Sequence, residues 1–305
     1  MFITGNFNPF SSTPQPLEEH VVSGSGKDKI LLIDISRIIG GEEEEVPFGI
    51  KRREGTTARV REELREAAKD DHIRAVVLRI NSPGGTVTAS DIVYQDLMQF
   101  KTDRQVPVVA QFLDMGTSGA YYIALAADEI VASPTTVTGS IGVVMFGLNV
   151  SGLMSKLGIA NQTLKAGAHK DIGSPLRPME PEERQILQSA LDQMQQRFLG
   201  LVRQHRPALS DASAQLISDG RIVTADQAVQ LGLVDRIGYL DDTVQLAKQR
   251  AGVTQARVVM YRRPDEFAEN IYSRSVSPAQ VNLVNLDFGA LATPQFMYLW
   301  SPGIE

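Results

Sequence analysis

Leu78-Arg79-Ile80-Asn81-Ser82-Pro83-Gly84-Gly85 and, further along, Met115-Gly116-Thr117-Ser118-Gly119-Ala120-Tyr121-Tyr122 are the stretches on which the fold and chemistry of this chain turn. The first ends the apolar run Ala75–Ile80 in a turn where Gly84 and Gly85 let backbone come close to a ligand. The second sets Ser118 among small residues, after a glycine-containing turn and at the start of an expected helix over 118–127. That placement aims Oγ outward beside the positive end of a helix. The N–H of Gly85 and that of Gly119, the residue after the serine, are the expected donors of an oxyanion hole. Taken singly, Ser118 would pass for an N-cap and Gly84-Gly85 for a tight strand-to-helix turn.

Outward from these stretches the chain alternates between strand and helix. Ile30-Leu31-Leu32-Ile33-Asp34-Ile35, Ala75–Ile80, Val106-Pro107-Val108-Val109-Ala110 and Ile130-Val131-Ala132 are short, nearly continuous apolar runs, as strands covered on both faces require. Between them, Val60, Leu64, Ala67 and Ala68 mark one helical face, and Ile92, Val93, Leu97 and Met98 another. The resulting βαβ rhythm predicts an α/β fold with a mostly parallel sheet, its strand C-terminal ends free to form a site.

Beyond Lys170 the pattern is mainly helical. Pro181 with Glu182 and Glu183 opens a long helix whose stripe, Ile186, Leu187, Ala190, Leu191, Met194, Phe198, Leu201 and Val202, reads as core or subunit interface. Asp219-Gly220-Arg221 reads as a turn, Thr224 as the N-cap of a helix over 225–231 stopped by Gly232, and 242–251 as a last helix. Residues 1–28 read as an extended arm, 29–252 as the catalytic core, and 253–305 as a tail with a strand and the exposed-looking apolar run Phe296-Met297-Tyr298-Leu299-Trp300. Gly40-Gly41 and Glu42-Glu43-Glu44-Glu45 read as a solvated loop.

The chain has 305 residues, 43% hydrophobic and 22% charged, within the range of a globular protein with one large core. A net charge of −6 with mixed signs argues against nucleic-acid binding. The absence of cysteine removes disulfides, thiolate metal sites and a cysteine nucleophile. No window approaches the roughly 18 apolar residues of a membrane span, and Met1-Phe2-Ile3-Thr4-Gly5 lacks the form of a secretion signal, so the chain as written is expected to be soluble.

A serine nucleophile needs a base. From Gly119 to Ala168 there is no histidine, whereas Lys170 stands in Gly167-Ala168-His169-Lys170-Asp171, which points to a Ser/Lys dyad. The lysine can act only if burial brings its pKa down from about 10.4 towards neutrality, so the Asp171 carboxylate is expected to point elsewhere. His169 is the competing base; with His20, His72 and His205 the only other histidines, no Asp/His pairing is signalled. Tyr121 and Tyr122 read as packing residues.

In family order, the block 78–85, the block Ser118–Ala124, and Thr138-Gly139-Ser140-Ile141-Gly142-Val143 with Gly167–Asp171 resemble the signal peptide peptidase A family, serine peptidases of the crotonase and Clp-protease fold superfamily. The resemblance covers about 29–251, in the single-copy form. It implies a crotonase/Clp-protease-like core of repeated ββα/βαβ units with a helical C-terminal part. It implies Ser118 as nucleophile, Lys170 as general base and Ser140 as the helper that orients the lysine. It also implies remnant signal peptides and other hydrophobic, membrane-derived peptides as substrates, with no metal or cofactor. Members usually carry an N-terminal membrane anchor, so membrane association is expected from the resemblance although none is read here. A closed ring of eight protomers, with each site shared between neighbours, follows from the same likeness. The rival readings are a crotonase-type acyl-CoA enzyme, which would need placed carboxylates and no nucleophilic serine, and a peptidase-like scaffold that binds peptides without cutting them.

Overall fold

Strand β1 (Glu18–Gly24) runs antiparallel to a late strand of the chain, and β2 (Lys29–Ile39) follows it into the centre of the main sheet. The structure is a computed structural model and describes residues 15–40, 44–45, 52–53, 55–264, 266, 269–273 and 295–300. Part of the expected glutamate loop is instead a short antiparallel pair, β3 (Glu44–Glu45) with β4 (Arg52–Arg53). Then come α1 (Thr56–Ala67), β5 (Ile73–Thr86), α2 (Val87–Arg104), β6 (Val108–Thr117), α3 (Gly119–Ala124), β7 (Glu129–Ala132), β8 (Val137–Gly139) and β9 (Val144–Met145). The rest comprises α4 (Ser151–Lys156), α5 (Pro181–His205), α6 (Asp211–Ile217), β10 (Ile222–Thr224), α7 (Ala225–Leu231), β11 (Arg236–Ile237), α8 (Leu240–Arg250), β12 (Arg257–Arg262) and β13 (Phe296–Leu299).

The sheet runs β1-β12-β2-β5-β6-β7-β11, parallel from β12 to β11, with β8 joining β6 in parallel and β10 pairing β8 antiparallel. The apolar runs are continuous because helices cover both faces. Leu31, Ile33, Val76, Leu78 and Ile80 face the cluster that includes Val60, Val93 and Leu97, while Ile30, Leu32, Ala75 and Val77 face Val244 and Ala247 of α8. The sheet also takes in β1 and β12, which lie outside 29–252.

A buried ion pair is built into this apolar sheet. Arg79 is fully buried, donating from Nε to Asp34 Oδ1 at 2.8 Å and from a guanidinium nitrogen to the Ser273 carbonyl at 2.7 Å. Burial pushes the Asp34 carboxyl up, but Arg79 and Arg59 pull it down further, so the net pKa is lowered and the pair stays ionic. The pairing ties β2 to β5 one turn before the glycine stretch that ends β5.

Helix α5 begins as its sequence demands: Pro181 occupies the first turn and the Glu183 side chain accepts from the Glu180 N–H at 3.0 Å. Its stripe divides, with Phe198 and Val202 in the core and Ile186 44% exposed. Among the described residues, it is the C-terminal half of the stripe that joins the core.

Candidate active site

Three of the quoted blocks meet at the C-terminal ends of β5, β6 and β8. At the end of β5, the Gly84 N–H donates to Ser82 Oγ at 3.1 Å, and that hydroxyl also contacts the Arg37 carbonyl. Gly84 has φ +101°, a conformation side chains rarely adopt, and a Cβ at Gly85 would collide with the Ile39 backbone running alongside. The glycine pair is thus required by the packing of β2 as well as by any ligand.

Asn81 connects this turn to β6: its amide donates to Asp114 at 2.7 Å and its oxygen accepts from the Met115 N–H at 3.3 Å. Strand β8 lies against the end of β6 in the register Thr117↔Gly139, locked by Thr138 Oγ1 donating to the Gly116 carbonyl at 2.6 Å. The Ser118 N–H donates to the Gly139 carbonyl at 2.8 Å, and the Ser118 carbonyl accepts from the Tyr122 N–H at 2.9 Å. Held from both sides, Ser118 takes φ 54°, ψ −118°.

The helix begins only at Gly119, and the Ser118 side chain makes no capping bond. Ser118 is 1% exposed and its Oγ has no hydrogen-bond partner among the described residues. An N-cap serine would bond to the first turn; this one carries instead a strained backbone, costing about 1–3 kcal/mol, and an unsatisfied buried hydroxyl costing about as much. Such costs are kept where a side chain must be aimed at something outside its own helix. Ser140 stands next to this elbow, buried, at φ 52°, with its N–H donating to the Arg221 carbonyl at 2.7 Å.

The two expected amide donors converge. A Cβ on Gly119 would lie 3.2 Å from the Gly85 nitrogen and 3.1 Å from the carbonyl oxygen of Tyr298. That tyrosine belongs to β13, which pairs antiparallel with β5 (Tyr298↔Gly85) on one side and with β9 (Met297↔Val144) on the other. The tail run expected to be exposed is therefore folded over the serine, and Tyr298 is fully buried. Its apolar composition signalled a contact, but nothing local in it could name a surface more than 200 residues earlier in the chain. Sequence reasoning also missed Ser90, whose Oγ donates to the Thr86 carbonyl at 2.9 Å and packs against Gly119. Tyr121 and Tyr122 are packing residues, their hydroxyls donating to the Leu233 carbonyl at 2.8 Å and to Asp91 at 2.6 Å.

The fourth block does not join the others within the chain. Lys170 is exposed and its side chain makes no hydrogen bond or ion pair among the described residues, contrary to the burial its role would require. Asp171 does point away from it: Lys165 Nζ lies 2.6 Å from Oδ1 and Arg177 Nε 2.7 Å from Oδ2. Hydrogen bonds from Arg177 and Lys165 hold that carboxyl well below the usual carboxylate range. His169 lies beside Glu182, with Nε2 3.7 Å from Oε1, and is not brought to the serine. Helix α4 has no buried residue, and Leu153, Leu157, Ile159 and Leu164 around it are all more than half exposed.

Among the described residues, no helix is long and apolar enough to cross a membrane. The family model of Peptidase family S49 matches residues 101–254, and that of Clp protease matches residues 40–136. The chain is 33% identical over 260 residues to "Putative signal peptide peptidase SppA" of Enterococcus faecium, covering 85% of this chain and 74% of that protein. It is 40% identical over 198 residues to "Putative protease MJ0651" of Methanocaldococcus jannaschii, covering 65% of this chain and 63% of that one. With "Serine protease SPPA, chloroplastic" of Arabidopsis thaliana the identity is 30% over 256 residues, 81% of this chain and 36% of the relative. The chain thus spans about three quarters of the first of these relatives, just under two thirds of the second and about a third of the last. On its α/β sheet of Clp-protease type, this chain belongs to peptidase family S49, the signal peptide peptidase A family, and is a serine peptidase.

Proposed function

We propose that the protein is an endopeptidase in which Ser118 is the nucleophile and Lys170 of the partner subunit is the general base. The observation that carries this reading is the incompleteness of the site in one chain. The serine, the two glycine N–H groups and Ser140 converge, while Lys170 sits exposed on a segment whose apolar side chains Leu153, Leu157, Ile159 and Leu164 are more than half exposed among the described residues. A neighbouring protomer would bury that segment and bring an amine to Ser118. Repeating the same contact around a closed ring, of eight protomers as the family likeness suggests, satisfies every copy.

In this reading Ser118 Oγ attacks the substrate carbonyl while the lysine takes its proton. The charge that develops on the carbonyl oxygen is met by the N–H groups of Gly85 and Gly119. The lysine then protonates the departing amine, and water hydrolyses the acyl ester. Ser140, adjacent to the elbow, orients the amine. The chemistry uses side chains and backbone alone. The strand-shaped groove between β5 and β9 suits an extended peptide. The name of the Enterococcus faecium relative favours signal peptides as substrates; the family resemblance extends this to other hydrophobic peptides and to association at the membrane.

The test uses two inactive variants. Ser118→Ala and Lys170→Ala should each abolish hydrolysis of an apolar peptide ester, and mixing them under conditions of subunit exchange should restore part of it. Fluorophosphonate labelling of Ser118 should slow about 10²–10⁴-fold in Lys170→Met and, in the parent, rise into mildly alkaline pH as a lysine base requires. Failure to complement despite demonstrated mixing, or labelling unchanged without Lys170, would overturn the shared dyad.

A further inference from the structure

The turn that carries Lys170 is not held by a core. Among the described residues, none from Gly142 to Glu182 is buried. Around the lysine the chain makes a run of turns, in which the Lys170 N–H donates to the Gly167 carbonyl at 3.2 Å, the Ile172 N–H to that of His169 at 3.1 Å and the Ser174 N–H to that of Asp171 at 3.0 Å. Such bonds shape a turn without fixing where it sits in the molecule. The strongest tie to the rest of the fold is one side chain. Arg177 donates from Nε to Asp171 Oδ2 at 2.7 Å and from Nη2 to Oδ1 at 2.8 Å, while Nη1 donates to Glu183 Oε2 at 2.8 Å and Nη2 to Oε1 at 2.5 Å. Nη1 also reaches the Pro178 carbonyl at 3.1 Å, so every N–H of the guanidinium is used.

The two carboxylates belong to different parts of the chain. Asp171 is the residue after Lys170, whereas Glu183 stands in the first turn of α5 and is buried. An isolated ion pair at a surface would hold little. Here one planar fork grips two planar carboxylates, which fixes angle as well as distance. Hydrogen bonds from Arg177 and from the Glu180 N–H bring the Glu183 carboxyl down to about 2, and that of Asp171 is lowered too, so both ends of the clamp stay charged. The arrangement also occupies a carboxylate that could interfere. A free Asp171 beside Lys170 would pair with its ammonium and hold it protonated; Arg177 and Lys165 together take up both Asp171 oxygens.

We propose that Arg177 is a positioning residue for Lys170: it clamps the lysine turn onto the first turn of α5 and keeps the Asp171 carboxylate off the lysine amine. The inference rests on Lys170 being the general base for the serine of a neighbouring protomer. Helix α5 is suited to carry the clamp because its C-terminal half is seated on the chain's own elbow. The Phe198 ring lies 5.0 Å from that of Tyr122, and Arg197 and the Tyr122 hydroxyl both bond to Asp91, at 2.8 Å and 2.6 Å. The Tyr122 N–H in turn donates to the Ser118 carbonyl. At a rise of about 1.5 Å per residue, Glu183 stands about 22 Å along the helix from Phe198. The helix is thus a strut, packed beside its own serine with one half and holding out the lysine turn with its first turn.

Complementation between marked protomers separates positioning from a merely structural role. Arg177→Met placed in the Ser118→Ala protomer, which lends the lysine, should cut the ester hydrolysis restored on mixing with Lys170→Ala by about 10²-fold, the cost of misplacing a reacting group by about 1 Å. Placed instead in the Lys170→Ala protomer, which lends the serine, the same substitution should leave the restored activity unchanged, which also shows that the variant folds and assembles. With Ser118 and Lys170 both intact, fluorophosphonate labelling of Arg177→Met should slow by a similar factor, and adding Asp171→Asn should slow it no further, since the two substitutions break one link. A further loss that multiplies the first would overturn action through Asp171. Equal losses from the two placements, or no loss from the first, would overturn the clamp and leave the shared dyad standing. Failure of Ser118→Ala and Lys170→Ala to complement at all, despite demonstrated mixing, would overturn both.

Discussion

The backbone at Ser118 makes a prediction about stability that is displaced from the one at an ordinary site. Compare Ser118→Ala with Ser118→Gly, both lacking the hydroxyl and both expected to be inactive. At an unstrained buried position glycine would be the less stable, by about 0.5–1 kcal/mol of backbone entropy plus about 0.8 kcal/mol for one buried carbon, together about 1.3–1.8 kcal/mol. Ser118 has φ 54° and ψ −118°, where a Cβ costs about 1–3 kcal/mol and glycine costs nothing. Subtracting that relief leaves glycine between about 0.8 kcal/mol less stable and about 1.7 kcal/mol more stable than alanine. Urea denaturation of the two variants at equal protomer concentration reads the difference directly, since assembly would otherwise shift the midpoints. A glycine variant less stable than the alanine variant by 1.3 kcal/mol or more would refute the strained elbow. With it would go the argument that the fold holds this serine at a cost for chemistry.

Gly119→Ala would place a methyl group against Ser90 Oγ and 3.1 Å from the Tyr298 carbonyl oxygen, so kcat should fall about 10²–10³-fold with Ser118 still present; near-parental kcat would remove Gly119 from the oxyanion hole. Glu63 is 1% exposed in α1, and burial, opposed by Arg59 and Arg262, pushes its carboxyl up to about 7. A carboxyl raised in the folded state contributes stability that is full below its unfolded pKa of about 4.5 and is lost as pH rises through about 7, on the order of 3 kcal/mol. Glu63→Gln should flatten that part of the stability profile, measured by urea denaturation at pH 5 and pH 8, and an unchanged pH difference would refute the assignment.

Much of the fold was legible because it is written locally. Ile30–Ile35 and Ala75–Ile80 could be read as strands since a strand covered on both faces needs apolar residues on both, and the two core clusters supply those covers. Helix α5 starts at Pro181, and α7 runs from the Thr224 cap to Gly232 in the left-handed conformation, because capping and φ requirements are properties of a few adjacent residues. Ser118 stood out for the same reason, although its helix proved to be the six residues Gly119–Ala124 with the serine outside it.

Pairings between distant residues were another matter. That β3 and β4 form a hairpin, that β1 and β12 add an edge to the sheet, and that only half of the α5 stripe reaches the core all depend on which surface each segment meets. The same holds at the site. The motif around Lys170 could be recognised, but not that the fold of one chain leaves it exposed and away from the serine. The run Phe296–Trp300 announced an apolar contact, and only the packed structure decided that the contact is the groove over Ser118. A periodic pattern specifies which face of a segment must be buried; the surface that buries it is selected by the whole fold, through shape and unpaired backbone groups that no local stretch contains.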